Sequence, residues 1–405
     1  MRPSQILLPA LSCLTSTTAT PTQSSLQSYS PLLPPTTSKE LLSLHHSLIE
    51  IESISGNEGK IGKWLSHYLS SQNFTVELQE VASNRYNVFA YGSKRLTNIL
   101  VSSHIDTVPP FWPYEYNSTD DTIHGRGSVD AKASVAAQII AVRELREKLL
   151  DELSLLFVVG EEVGGDGMAY FSDHQPRKES GEVHKYDTVI FGEPTEGKLV
   201  CGHKGMLSFT LKVRGKAAHS GYPWLGVSAN DVLIEALAKL LALREKLPSS
   251  EKYGNTTMNF GRIDGGVAAN VVAETAEAKI AIRLAASTPK AVRVTLLEAL
   301  SDIQSRAEEQ GGKLDIVWGT EGYPPVDIDC DVEGFETMTV NYGTDIPNLK
   351  GDHRRYLYGP GNIFVAHSDH EALTRKELEQ AVLDYRKLII ATNMMRHQDQ
   401  EVEEL

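Results

Sequence analysis

Three short apolar segments separated by helical patterns constrain the fold of this chain most strongly. Segments 98–103, 153–159 and 188–191 are rich in the branched and aromatic residues typical of strands, and residues near 131–149 and 165–173 have the periodicity of helices. Buried strands that alternate with helices form parallel sheets with both faces covered. The sequence therefore predicts an α/β fold built on a mainly parallel sheet.

The pattern changes after residue 203 and returns after residue 319. The predicted elements of this middle part are a strand at 207–214, a helix at 226–247, strands near 256–263 and 274–284, a helix at 289–309 and a strand near 313–318. Their order, βαββαβ, is ferredoxin-like, so we predict an α+β domain at 204–319 inserted into a first domain made of residues 39–203 and 320–405. Two domains suit a chain of 405 residues. The remaining predicted elements are a helix at 331–342, a strand at 363–366 and a last helix at 374–395.

The N-terminal residues have the character of a targeting segment. Residues 1–19 begin with Met1 and Arg2, continue with a weakly apolar stretch and end in small residues, which predicts a signal peptide; a disordered or mitochondrial leader is the alternative. Residues 20–38 are rich in Ser, Thr, Pro and Gln and predict a flexible segment before a first helix at about Lys39. No other segment is apolar enough to span a bilayer, so we expect no membrane partner.

Glycosylation sequons and cysteines also bear on whether the protein is secreted. Asn73, Asn117 and Asn255 each begin an Asn-X-Thr or Asn-X-Ser sequon and are predicted glycosylation sites, which fits secretion. Cys201 and Cys330 remain outside the leader, and a disulfide between them and two free thiols both stay open. We expect a secreted protein, with a mitochondrial or cytoplasmic location as the alternative.

The chain is acidic. It carries 53 acidic and 39 basic residues, a formal net charge of −14, which repels nucleic acid. Nucleic acid is therefore not an expected partner.

Five candidate metal ligands lie just after predicted strands or in the loops behind them: His104, Asp130, Glu162, Glu193 and His367. Strands of an open α/β sheet end at one crevice, so these side chains are expected to meet there. Each alone has a plainer interpretation, such as a structural histidine, a helix cap or a solvated loop charge. Together, the three carboxylates offset three of the four charges of two divalent cations, and zinc suits mixed imidazole and carboxylate ligands. Asp106 can hold the second imidazole nitrogen of His104.

Five segments in this order carry a family resemblance: HIDTVP at 104–109, GRGSVDAK at 125–132, GEE at 160–162, GEPT at 192–195 and AHSDHE at 366–371. They resemble the M20 metallopeptidase family, which includes acetylornithine deacetylase, succinyl-diaminopimelate desuccinylase, aminoacylase-1 and glutamate carboxypeptidase. The resemblance extends over about residues 38–395.

The resemblance implies two zinc ions per subunit, with cobalt or manganese as possible substitutes. One ion would be held by His104, Asp130 and Glu193, and the other by Asp130, Glu162 and His367, so that Asp130 bridges them. Glu161 would be the general base that takes a proton from the metal-bridging water.

The resemblance also gives the inserted domain a role as a lid and dimerisation domain. His219, in GKAAHSG at 215–221, would stabilise the developing oxyanion in the partner subunit of a homodimer. Asn270, Arg283, Gly359 and Gly361 would contact the substrate. A surface loop histidine and ordinary sheet-face residues are the alternatives for His219, Asn270 and Arg283.

Two departures from the family pattern remove no ligand. Ala131, Lys132 and Ala133 follow the bridging Asp130, which leaves the family's cis peptide bond at this point undecided, and His370 replaces a smaller or polar residue. The remaining histidines are predicted to lie on the surface: His45, His46, His67, His174, His184, His203, His353 and His397.

The leading hypothesis is a secreted, zinc-dependent carboxypeptidase that releases C-terminal amino acids from small peptides. An N-acyl-amino-acid deacylase with the same site is the first alternative. A catalytically inactive binding or dimerisation protein on the same fold is a remote second alternative.

Overall fold

A computed structural model describes residues 31–149 and 151–403, so the predicted signal peptide lies outside the described residues. Within these ranges the α-helices are α1 (Pro35–Glu50), α2 (Gly59–Ser71), α3 (Lys132–Leu149), α4 (Asp166–Asp173), α5 (Ala229–Arg244), α6 (Pro289–Glu309) and α7 (Arg375–Glu403). None of these helices is both long and apolar enough to cross a bilayer.

The strands of the same ranges are β1 (Thr75–Ala82), β2 (Arg85–Tyr91), β3 (Ile99–His104), β4 (Glu115–Asn117), β5 (Thr122–His124), β6 (Leu153–Val158), β7 (Thr188–Gly192), β8 (Leu199–His203), β9 (Gly205–Arg214), β10 (Ser249–Ser250), β11 (Gly254–Asn255), β12 (Thr257–Gly265), β13 (Thr275–Leu284), β14 (Lys313–Trp318), β15 (Val326–Asp327), β16 (Thr337–Val340), β17 (Arg354–Tyr358) and β18 (Ala372–Thr374).

The central sheet has six strands in the order β1-β2-β6-β3-β7-β17. Strands β6, β3, β7 and β17 run parallel, and β2 joins antiparallel to β6 and to β1. Every residue of β3 and β6 is buried, because helices cover both faces. Helices α1, α2, α3 and α7 share the core of one face, and α4 contributes Met168 and Phe171 to the core of the other. The predicted α/β fold with a mainly parallel sheet is confirmed.

The inserted domain has a hydrophobic core of its own. Its antiparallel sheet has the order β12-β13-β9-β14, and α5 and α6 contribute Leu233, Leu240, Leu296 and Leu300 to the core that β9 and β13 share. Side chains of β9 alternate between buried and more exposed, as expected for a sheet with one face covered. The βαββαβ order and the ferredoxin-like arrangement agree with the sequence.

The two segments that connect the domains are joined to each other by backbone hydrogen bonds and a disulfide. The backbones of Met206, at the start of β9, and Tyr323, on the return, exchange two hydrogen bonds of 3.0 Å each. Cys201 on β8 forms a disulfide with Cys330, beyond β15. The two segments that enter and leave the inserted domain are therefore joined side by side.

Two predicted elements are wrong. The helix at 331–342 is absent, and β16 instead pairs in parallel with β8, because Thr337, Thr339 and Val340 are β-branched and β8 offers a free edge. The strand at 363–366 is a series of turns, in which Asn362 Oδ1 accepts from the backbone amide of Phe364 at 2.9 Å. No strand lies beside it in the described sheets, so its apolar residues alone do not make it a strand.

Two further expectations need correction. Helix α1 begins at Pro35 rather than Lys39, and Ser38 is buried, so the part of the flexible segment within residues 31–38 is packed against the fold. Four histidines predicted at the surface are buried: His45, His184, His203 and His353. The protein interior accepts the first three of these histidines because the ring of each forms a hydrogen bond with a backbone carbonyl.

Candidate metal centre and active site

The parallel strands bring most of the candidate ligands to one edge of the sheet. His104 is the last residue of β3, Glu161 and Glu162 lie in a short 3-10 turn after β6, and Glu193 directly follows β7. Because β3 lies between β6 and β7 and all three are parallel, their carboxyl ends meet. Asp130 reaches the same place from the loop before α3.

The two oxygens of Asp130 face two different histidines. Asp130 Oδ1 lies 3.0 Å from His104 Nε2, and Asp130 Oδ2 lies 3.2 Å from His367 Nε2. A carboxylate placed in this way can serve two metal ions at once. The geometry agrees with the bridging role that the family resemblance implies.

Each histidine also has a second carboxylate partner. His104 Nε2 lies 3.8 Å from Glu193 Oε1, and His367 Nε2 lies 3.0 Å from Glu162 Oε2. Two ligands of a tetrahedral zinc ion, each about 2.0–2.1 Å from the metal, lie about 3.3 Å apart. Each of these histidine–carboxylate pairs could therefore share one metal ion. Groups of three donors that all lie within 4.8 Å of one another come from His104, Glu161 and Glu193, and from His104, Asp130 and Glu162; these groups overlap with the two expected sets but match neither.

Glu161 differs from the other acids of the cluster. One of its oxygens lies within 4.8 Å of donor atoms of His104 and Glu193, so it is close to the metal donors. Among the described residues its carboxylate has neither a hydrogen bond nor an ion pair. A carboxylate without a protein partner at this position is free to bind a water molecule.

The buried carboxylates around His104 repel one another when no cation is bound. Burial raises the pKa of Glu193 to about 7, and burial together with the charge of Glu193 raises the pKa of Glu161 well above its usual value. Hydrogen bonds to Asp130 and Glu162 raise the pKa of His367 to about 10. Divalent cations would relieve the repulsion between these buried carboxylates, so the donor set fits metal ions.

Asp106 links the ligand His104 to the turn that carries Glu161. Its Oδ1 accepts from the backbone amide of Glu161 at 3.1 Å, and its Oδ2 accepts from Ser55 Oγ at 2.7 Å. His104 Nδ1 lies 3.0 Å from the backbone oxygen of Asp106 and 3.5 Å from Oδ1. Nδ1–H therefore donates mainly to the backbone oxygen, which leaves Nε2 for a metal.

Glu371 is a site residue that the sequence reasoning assigned no role. It is 3% exposed, its Oε1 accepts from the backbone amides of Val129 and Asp130 at 3.0 and 3.1 Å, and its Oε2 pairs with Arg126 at 2.6 Å. Its place in the same motif as His367 was the available signal. One buried carboxylate thus fixes the loop that presents the bridging ligand.

The glycine-containing loop before Asp130 is held from several sides. His45 Nε2 donates to Ser128 O at 3.0 Å, and Lys132 Nζ donates to Ile51 O at 3.0 Å. Gly127 has a φ of 85°, and a Cβ there would collide with Thr107, so the position needs glycine. The Asp130–Ala131 peptide bond, left undecided by the sequence, is cis.

The structure does not bring His219 and Asn270 to the metal donors of their own chain. Both are exposed on the inserted domain, where the backbone amide of Ser220 donates to Asn270 O at 3.0 Å. The resemblance implied that His219 enters the active site of a partner subunit and that Asn270 contacts the substrate; within one chain the two residues lie together.

The other expected substrate contacts fall nearer the site. Gly359 and Gly361 accept backbone hydrogen bonds from Thr195 and Glu196, so they support the loop after Glu193. Arg283, on β13, points to Gly343 and has no hydrogen bond or ion pair with the described residues.

The three sequons differ in accessibility. Asn73 and Asn255 are exposed, and Asn117 is half-buried.

Comparisons with known proteins place this site in a family. A family model for the peptidase dimerisation domain of M20 enzymes matches residues 201–311, and a model for peptidase family M28 matches residues 87–220. A probable carboxypeptidase of Arthroderma otae is 50% identical over 394 residues, which cover 87% of this chain and 86% of that relative. The chain belongs to the M20 family of metallopeptidases. As an M20 enzyme it is a metal-dependent peptidase.

Solved structures show the same M20 fold. A tripeptidase from Staphylococcus aureus superposes with a TM-score of 0.70 at 22% identity, covering 88% of this chain and 99% of that one. An M20 metallo-carboxypeptidase from Sulfolobus solfataricus superposes with a TM-score of 0.67 at 16% identity, with the same coverage.

Proposed function

We propose that this M20 peptidase is a secreted carboxypeptidase that uses two zinc ions to release C-terminal amino acids from small peptides. The observation that carries the site assignment is the position of Asp130 between His104 and His367, one carboxylate oxygen toward each. The 50% identity to relatives named probable carboxypeptidase supports the direction of cleavage.

The proposed ligands are His104, Asp130 and Glu193 for one ion and Asp130, Glu162 and His367 for the other. When bound, the ions would polarise the scissile carbonyl, lower the pKa of the attacking water and offset charge in the transition state. Cobalt or manganese would suit the same donors.

Glu161 is the proposed general base. Its unpartnered carboxylate accepts the proton of the attacking water and returns it to the leaving amine as the peptide bond breaks. The backbone amide of Glu161 is fixed by Asp106, so its carboxylate is positioned by the same residue that orients His104.

Arg283 is the proposed contact for the substrate's C-terminal carboxylate. Its guanidinium lacks an acidic partner in the part of the chain that the structure describes, and a planar fork of donors suits a carboxylate. N-acyl-amino acids carry the same carboxylate, so the deacylase reaction remains the competing outcome of the experiment below.

A homodimer would complete the site. The match to a dimerisation domain supports it, and so does the exposure of His219 and Asn270 away from the metal donors of their own chain. In the proposed dimer, His219 of one protomer donates to the developing oxyanion in its partner. A His219→Ala chain mixed with a Glu161→Ala chain should then recover part of the activity that each lacks alone.

Secretion is supported by the disulfide between Cys201 and Cys330, since such bonds persist in oxidising compartments. The exposure of Asn73 and Asn255 allows glycosylation. Detection in the culture medium, a mass decrease with a glycosidase and an N-terminal sequence beginning near residue 20 would test this. Retention of the full-length chain inside the cell would contradict it.

The decisive experiment compares two substrates on the zinc-loaded protein. We expect release of the C-terminal amino acid from N-blocked dipeptides, and slower or no release of acetate from N-acetyl-amino acids. Activity on the second substrate alone would replace the carboxypeptidase assignment with the deacylase one. Activity on neither would refute both.

A further inference from the structure

Tyr323 lies where the inserted domain meets the first domain, next to the proposed carboxylate contact. Its backbone is fixed to Met206 by two hydrogen bonds of 3.0 Å, and its ring packs edge-on against His203 with the centroids 5.9 Å apart. The ring is therefore held rigidly. In the described part of the chain its hydroxyl has no hydrogen-bond partner.

The hydroxyl of Tyr323 and the guanidinium of Arg283 converge on Gly343. A Cβ at Gly343 would collide with Tyr323 Oη, and Arg283 Nη1 would lie 3.3 Å from it. The missing side chain of Gly343 thus lets the Tyr323 hydroxyl lie where a Cβ would be, and two different donors lie near each other at this point. One donor is a cation and the other is a neutral hydroxyl.

The loop that carries Gly343 also borders the metal donors. Tyr342 Oη donates to Pro194 O at 2.9 Å, next to the proposed ligand Glu193. Thr344 is fixed on the other side, where its hydroxyl donates to His203 Nε2 at 3.1 Å. A substrate bound at the metal donors would therefore extend toward Gly343 and the two donors beside it.

The charged donor of Arg283 and the neutral donor of Tyr323 together suit an anion with two oxygens. Burial and the charges of Glu161 and Asp345 outweigh Arg283 and raise the pKa of Tyr323 to about 12, so the phenol stays a neutral donor through the neutral range. A carboxylate can accept from Arg283 with one oxygen and from Tyr323 with the other. An amide or ester of the same peptide lacks the charge and the second equivalent acceptor.

We infer that Tyr323 is a specificity-determining residue, whose hydroxyl binds the free C-terminal carboxylate of the substrate together with Arg283 over Gly343. The inference rests on the proposed carboxypeptidase function and adds a residue to it. It also assigns Gly343 the role of leaving room for the Tyr323 hydroxyl at the position from which it donates.

The test uses Tyr323→Phe and Gly343→Ala in the zinc-loaded, full-length mature enzyme, with Tyr253→Phe as the matched control. Tyr253 also lies by the interdomain crossing, but its hydroxyl already bonds to Val326 O and Asp327. Each protein is assayed on an N-blocked dipeptide with a free C-terminus and on its C-terminal amide. Zinc content and melting temperature are measured on each variant.

A lost hydrogen bond to a charged group should raise KM for the free acid about tenfold or more in Tyr323→Phe, with little change in kcat. Hydrolysis of the amide should not change, so the preference for the acid falls by the same factor. Gly343→Ala should also raise KM for the acid, because its Cβ would displace the Tyr323 hydroxyl from its place beside Arg283. Tyr253→Phe should behave as the wild type.

The outcomes separate the two hypotheses. Wild-type enzyme that hydrolyses acid and amide equally well would refute the carboxypeptidase function itself. Wild-type enzyme that prefers the acid, together with a folded and zinc-loaded Tyr323→Phe that keeps the full preference, would refute only the role of Tyr323.

Discussion

Glu371 Oε1 accepts a hydrogen bond of 3.1 Å from the backbone amide of Asp130, across 241 residues of sequence. The same carboxylate accepts from the Val129 amide and pairs with the buried Arg126. The proposed bridging ligand is therefore held by a residue that lies four positions after another proposed ligand, His367.

Replacement of Glu371 by Gln should destabilise the protein even without metal. It removes the charge that faces the buried Arg126, and an unpaired buried charge costs about 3 kcal/mol or more of unfolding free energy. Urea unfolding of the metal-free protein measures this. Glu144→Gln, which breaks the more exposed pair with Arg386, should cost about 1 kcal/mol at most. Equal losses in the two variants would contradict a structural role specific to Glu371.

The Glu161→Gln variant should keep its metal and lose its activity. A general base contributes about 10²- to 10⁴-fold, so we expect kcat to fall about a thousandfold while zinc content stays at the wild-type level. Glu179→Gln, an exposed acid away from the cluster, is the control. Turnover at the wild-type rate would remove Glu161 from the mechanism.

The number of zinc ions that each variant keeps should show which residue binds both ions. Asp130→Asn should lose both zinc ions on dialysis, whereas His367→Ala should lose one, because Asp130 faces each of the two histidines with one of its oxygens. His370→Ala should keep both, since His370 is exposed and pairs with Asp369. Elemental analysis after dialysis against metal-free buffer measures the content. An Asp130→Asn protein with its full zinc content would show that the carboxylate does not bridge.

The acidic cluster around the metal donors should stabilise the metal-free protein less as pH rises between about 5 and 8. Burial raises the pKa of both Glu193 and Asp345 to about 7, above the usual carboxyl value, so their contribution is present at low pH and is lost as pH rises through 7. The hydrogen bonds that raise the pKa of His367 to about 10 act in the same direction, because the stability they add is present below 6.5 and declines toward 10. The lowered pKa of Asp130 matters only in strong acid. Burial lowers the pKa of His45 to about 3 and the pKa values of His203 and His353 to about 4, so these histidines add stability as pH rises toward 6.5, with or without zinc.

Thermal unfolding of the metal-free and zinc-loaded proteins at several pH values checks this. Zinc binding requires deprotonated ligands, so the difference between the two melting temperatures should widen with pH. A difference between the two melting temperatures that stays constant or narrows over this range would contradict the protonation pattern of the site.

Local pattern gave correct predictions where a segment's neighbours in sequence decide its structure. Strands β3, β6 and β7 are continuous apolar runs, and a His or Glu directly after each run had to lie at the same edge of a parallel sheet. The pattern misled at 331–342 and 363–366. The first became a strand because β8 lay alongside, and the second had no strand to pair with.

The sequence also could not identify residues that act through distant contacts. Ser55 donates to Asp106 from 51 positions away, and no motif surrounds it. His45 and His203 were expected at the surface but are buried, each bonded to a backbone carbonyl. Such contacts exist only after the chain has folded.

By itself, the sequence determined the α/β class, the inserted βαββαβ domain and the five candidate ligands, because periodicity and strand ends are local properties. Tertiary structure alone decided that the two oxygens of Asp130 face two histidines, that Glu371 holds Asp130, and that Tyr323 and Arg283 meet at Gly343. These relationships depend on the direction of side chains brought together from remote segments. Packing in the folded protein sets the directions of these side chains, so a local sequence pattern cannot predict them.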